Sequence, residues 1–152
     1  MRKLTRGFAV VGFTAAALLP AGGVHANGFS AKDLAPTTMS RACELDGRFR
    51  AACNVVGRFF RDVNSGRFGA ACALLGSELR AETGGTQCRR YLAVAIPEPV
   101  RWGILGASVE SERVSVLVRL ARPELDHTRV VRYSAVIGHE GKGLRILQTL
   151  QR

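Results

Sequence analysis

Apolar residues along this chain follow two periods, and the change between them falls near residue 100. In the first half, Val55, Val56, Phe59, Phe60 and Val63 recur at helical spacing, which predicts a first helix with one apolar face. Asn64-Ser65-Gly66 stops that run. Phe68, Ala71, Cys72, Leu74, Leu75 and Leu79 resume the i, i+3, i+4, i+7 pattern and predict one second helix, ended by Thr83-Gly84-Gly85-Thr86. A short third helix over Gln87 to Ala95 would turn Tyr91, Leu92 and Ala95 inward, and Pro97 and Pro99 close it.

Beyond residue 100 the period drops to two. Val114, Val116, Val118 and Leu120 alternate with Ser115, Leu117, Arg119 and Ala121, as in a strand with one face in the core. Trp102 to Val109 is its partner across a tight Glu110-Ser111-Glu112 connection. Arg122 to Asp126 reads as a loop, because Pro123 cannot donate to a sheet ladder. Thr128 to Ile137 forms a third strand with Val131, Tyr133, Ala135 and Ile137 on one face. The glycine-rich stretch Gly138 to Gly143 turns the chain into a last strand, Leu144 to Leu150. Three helices followed by about four antiparallel strands make an α+β fold.

The first 26 residues stand apart. Arg2, Lys3 and Arg6 precede an uncharged run from Phe8 to Leu19, and Val24-His25-Ala26 is a small-x-small ending. These are the parts of a cleavable signal peptide, expected to leave a mature protein beginning at Asn27 in the periplasm or outside the cell. The run is shorter than the ~20 residues that span a bilayer, and Pro20, Gly22 and Gly23 interrupt it, so no stable membrane span is expected. Removing the leader leaves 126 residues, one core's worth. Residues 27–50 mix Gly, Ser, Pro and Thr and read as a flexible lead-in, with the domain over residues 51–152.

Charge narrows the partners. The leader carries three of the 22 Lys and Arg residues and none of the 12 acids, so the net charge falls from +10 to +7. That balance suits anionic partners, but Arg89-Arg90 is the longest basic run and aromatic residues are not interleaved with it, so no nucleic-acid platform is expected. Cys43, Cys53, Cys72 and Cys88 all lie in the exported part, and an even count there reads as two disulfides with three possible connectivities. Spacings of 9, 18 and 15 intervening residues contain no metal-binding knuckle.

The string from Phe59 to Leu75, with its Asn64-Ser65-Gly66 turn and Ala71-Cys72-Ala73-Leu74-Leu75, followed by Cys88 and four strands, resembles small exported bacterial members of the NTF2-like superfamily, the cystatin-like or SnoaL-like cone. The resemblance covers residues 51–152. It implies a curved sheet wrapped round a long helix and a cone-shaped cavity used for binding, catalysis or dimerisation. With the helices so placed, Cys72 is expected to pair with Cys88 across the Gly84-Gly85 reversal, and Cys43 with Cys53.

Enzymes of that superfamily put an Asp or a His–Asp pair in the cavity. Here Asp62 is expected to face solvent beside Arg61 and Asn54, His127 and His139 fall in a loop and a turn, and Asp126 is only a sequence neighbour of His127. Glu110 and Glu112 suit an exposed hairpin better than a metal site. Gly138 to Gly143 lacks the Lys-Ser/Thr of a phosphate-binding loop. No catalytic, cofactor or metal residue is therefore assigned. Tyr91, Trp102 and Tyr133, each with an apolar body and a polar tip, are the candidate pocket residues. The sequence thus points to a non-catalytic module that binds a small molecule or an envelope protein, or pairs with itself through the sheet. The alternative is an isomerase or dehydratase using the cone.

Overall fold

The structure is a computed structural model that describes residues 40–123 and 128–152. The leader, the lead-in as far as Met39, and Asp126 and His127 lie outside the described residues. Helix α1 spans Gly47–Asn64, α2 Phe68–Ala73, α3 Ser77–Glu82 and α4 Cys88–Ala95. Strands β1 (Arg101–Glu110), β2 (Arg113–Pro123), β3 (Thr128–Glu140) and β4 (Gly143–Gln151) form one antiparallel sheet in sequence order.

Helix α1 lies across the sheet and packs against all four strands. Ala52, Cys53, Val56 and Val63 supply its buried stripe, and Val116, Val118, Ala135, Ile137 and Ile146 meet them from the sheet. The helix starts well before the apolar run that betrays it. Asp46 caps it by accepting a hydrogen bond from the Arg48 amide at 2.6 Å, and that bond holds the Asp46 carboxyl below its usual range. Residues 40–50 are thus not a loose lead-in. A 3-10 turn at Arg41–Cys43 and the first turn of α1 occupy them, and Cys43 is buried.

The expected second helix is two. The chain leaves α2 at Leu74, runs past the free edge of β4 and enters α3 after Gly76. Ile146 donates its amide to the Leu74 carbonyl at 2.9 Å, and the Gly76 amide donates to the Ile146 carbonyl at 2.8 Å. These bonds take the backbone groups that a continuous helix would have used. Gly76 allows the close approach, since a Cβ there would stand 2.6 Å from Glu140 Oε2 and 2.9 Å from Leu147 Cδ2.

Disulfides join Cys43 to Cys53 and Cys72 to Cys88, each with its α-carbons 6.1 Å apart. The first ties the 3-10 turn to α1, and the second ties α2 to α4. Bonds of this kind fit an oxidising compartment. No helix among the described residues is long and apolar enough to cross a membrane.

The strands extend beyond the expected limits. Pro123 is the last residue of β2, where its missing amide costs no interior ladder bond. Gly138, His139 and Glu140 belong to β3 and Gly143 to β4, so the glycine-rich connection is only the turn at Gly141-Lys142, with Gly141 at φ 61°. Hairpin twist favours that left-handed conformation.

Glu140 uses its position at the end of β3 to hold α3. Both carboxylate oxygens lie 3.0 Å from the Ser77 amide, the first of the helix. Hydrogen bonding to Ser77 keeps the carboxyl below its usual range, and Arg145 and Arg80 add to the effect. A carboxylate depressed on folding stabilises the protein above its ordinary pKa, and the contribution disappears as pH falls through the depressed value. Glu140→Gln should lower the urea midpoint at neutral pH, and the two proteins should converge on acidification. A difference that stays constant with pH would assign the effect to packing.

Candidate functional site

Apolar side chains fill the space between α1 and the sheet, and two of the candidate aromatics belong to that filling. Trp102 on β1 stacks on Phe60 with ring centroids 5.4 Å apart, and Phe60 meets Phe59 edge-on at 5.3 Å. Gly57 gives the indole room, because a Cβ there would press on Trp102 Cη2 at 3.3 Å. Tyr91, on α4, is half-buried against the same cluster, with its Cβ over Gly84. Tyr133 is half-buried on β3, level with Val118 and Gln151.

Asp62 is not at the solvent. It is 4% exposed, because the chain doubles back at Asn64-Ser65-Gly66 and lays Arg67 over it. Arg67 donates to Oδ1 from Nε at 2.9 Å and from Nη2 at 2.7 Å, while Arg58 Nε stands 3.9 Å from Oδ2. Arg67 also donates its amide to the Asp62 carbonyl at 2.8 Å. Both partners are arginines, so the carboxylate works as a clamp on the corner between α1 and α2. Asn64 fixes the same corner to the sheet, exchanging hydrogen bonds with the backbone of Val100 at 2.8 and 2.9 Å.

The remaining titratable candidates are scattered. His139 is exposed on β3, and Glu110 and Glu112 are exposed at the β1–β2 hairpin, where Glu110 is level with Arg113. Among the described residues no three His, Cys, Asp or Glu side chains come together as metal ligands.

The sheet's other face, turned away from α1, carries an open groove of about 400 Å³. Its polar lining is Ser108, Ser115, Ser134, Arg132 and Arg152, with Leu117 between them. Gly106 and Ala107 supply a low wall on β1. The ladder explains the convergence: Gly106, Leu117 and Ser134 share one cross-strand row, and Ser108 and Ser115 share the next. Ser115 and Ser134 are 7% and 3% exposed although no helix among the described residues lines the groove, so its floor is sunk below the surrounding side chains. Arg152 Nε donates to Ser134 Oγ at 3.0 Å.

Beside it runs a row of one sign. Arg119 on β2 is level with Arg132 on β3, and the Arg152 amide donates to the Arg132 carbonyl at 3.0 Å. Like charges placed opposite each other in a sheet repel. No carboxylate among the described residues lies within ion-pair distance of these three guanidinium groups.

None of Tyr91, Trp102 and Tyr133 lines this groove. Ser115, Leu117 and Arg119 alternate in the sequence with the core-facing residues of β2, and the register puts them on the face away from α1. Their neighbours on β3 and β4 emerge only from the pairing register. Comparison with protein-family models, curated proteins and solved structures gives no match for the chain.

Proposed function

We propose that the chain is an exported, non-catalytic binding module of the NTF2-like type, released from a leader ending near Ala26, and that its working surface is the outer face of the sheet. The contrast between the sheet's two faces carries this reading. The inner face, where an enzyme of the isomerase or dehydratase type would hold its substrate, is filled by Val56, Phe60 and Val63 of α1 and by Trp102 of β1. The outer face bears a polar groove flanked by arginines. The helix-then-sheet order and the stapled α2 support the family reading, and the two disulfides support export.

Pairing of two copies through this face is the weaker option. A two-fold contact centred on the groove would bring Arg119, Arg132 and Arg152 of both copies together, and the acid that shares this face, Glu110, sits at the far hairpin level with Arg113.

A photo-crosslinking residue tests the proposal. Placed at Leu117 in the groove, it should yield adducts in the native host, whereas the same residue at Val94, 73% exposed on α4, should not.

A further inference from the structure

We infer that the outer groove is a site for a phosphate-type oxyanion carried by a small molecule. The inference rests on the outer face being the binding surface and adds what that surface recognises. Arg132 and Arg152 line the groove, and Arg119 extends the row by one strand. A guanidinium presents a planar fork that matches two oxygens of a phosphate, and two such forks on neighbouring stretches of backbone can hold one group from both sides.

Three hydroxyls, from Ser108, Ser115 and Ser134, complete a lining that contains no Asp or Glu, the acid on the same face being Glu110, two residues beyond Ser108 and level with Arg113. Ser134 is already turned toward Arg152, so one fork is held in position before anything binds. In the absence of a ligand the row costs stability through repulsion between neighbouring strands, and an oxyanion between the arginines would reverse the sign of that interaction. A volume of about 400 Å³ admits a small phosphoester, and Leu117 offers an apolar surface to the carbon skeleton it carries.

The phosphate can belong to a soluble ester or to a lipid headgroup, and the test separates them. Calorimetric titration of the mature protein with inorganic phosphate and with glycerol 3-phosphate should show saturable binding. So should co-sedimentation with phosphatidylglycerol vesicles, but not with phosphatidylcholine, if the source is a headgroup. Arg132→Gln and Arg152→Gln should each weaken binding by about 10- to 100-fold, the range for a lost charged hydrogen-bonding partner. Arg89→Gln, exposed on α4, should leave it within about twofold. Thermal midpoints should not fall for Arg132→Gln, because a repulsive neighbour has been removed; this separates lost binding from lost folding. Arg132→Lys keeps the charge without the fork and should bind more weakly than the native protein.

Absence of saturable binding to both soluble probes and both vesicles would overturn the inference. So would equal losses for Arg89→Gln and Arg132→Gln, the mark of a diffuse basic surface. If these fail while Leu117 still crosslinks, the outer face remains the working surface and only its ligand class is wrong.

Discussion

Replacing Cys72 and Cys88 together by alanine should cost about 3 kcal/mol and lower Tm by on the order of 10–20 °C. The bond closes a loop with a sequence separation of 16, and constraint of the unfolded chain by a loop of this size stabilises the native state by about that amount. Local structure cannot replace it. Helices α2 and α4 have 6 and 8 residues, far below the length at which an isolated helix persists in water. Their contact with each other is held by the sulfurs, and Cys72 and Cys88 are themselves buried at 7% and 2% exposure. Scanning calorimetry without reductant should show the shift, and the native protein in excess dithiothreitol should approach the variant. A loss below about 1 kcal/mol would mean that packing alone holds α2 against α4.

Ile137→Ala should be of similar or larger effect, about 3–4 kcal/mol within the usual range for such truncations. Ile137 is 1% exposed on β3, level with Val114 on β2 and Ile146 on β4, beneath α1. Strands on both sides limit collapse into the space left behind, so both the transfer and the cavity contributions apply. Urea denaturation should show a lower midpoint at unchanged slope. Leu150→Ala, 41% exposed on the outer face, should cost less than about 1 kcal/mol. Equal losses at the two positions would contradict the assignment of inner and outer faces.

What could be read from the sequence was what depends on local period. Val114, Val116, Val118 and Leu120 alternate strictly, and the strand stands where they do. The split between α2 and α3 was hidden, because Leu74 and Leu75 continue the helical apolar pattern while their backbone pairs with Ile146, some seventy positions away. Gly76 was the available hint. The early start of α1 was masked by Gly47, Arg48 and Arg50, although Asp46 is a good cap residue. Asp62 was misplaced because Arg67 reaches it across the turn after α1, a geometry that helical spacing does not contain. The groove was illegible for a related reason: Arg119 and Arg132 sit on β2 and β3 and Arg152 just past the end of β4, and only the register sets them side by side.

Binding is proposed to take place on the outer face of the sheet and not inside the fold. Crosslinking from a photo-reactive residue at Leu117, compared with the same residue at Val94 in cells that make the protein naturally, tests it most directly. A discrete adduct by mass spectrometry is expected from Leu117, weakened by Arg132→Gln, and none from Val94. Adducts of equal yield at both sites, or from Val94 alone, would contradict it.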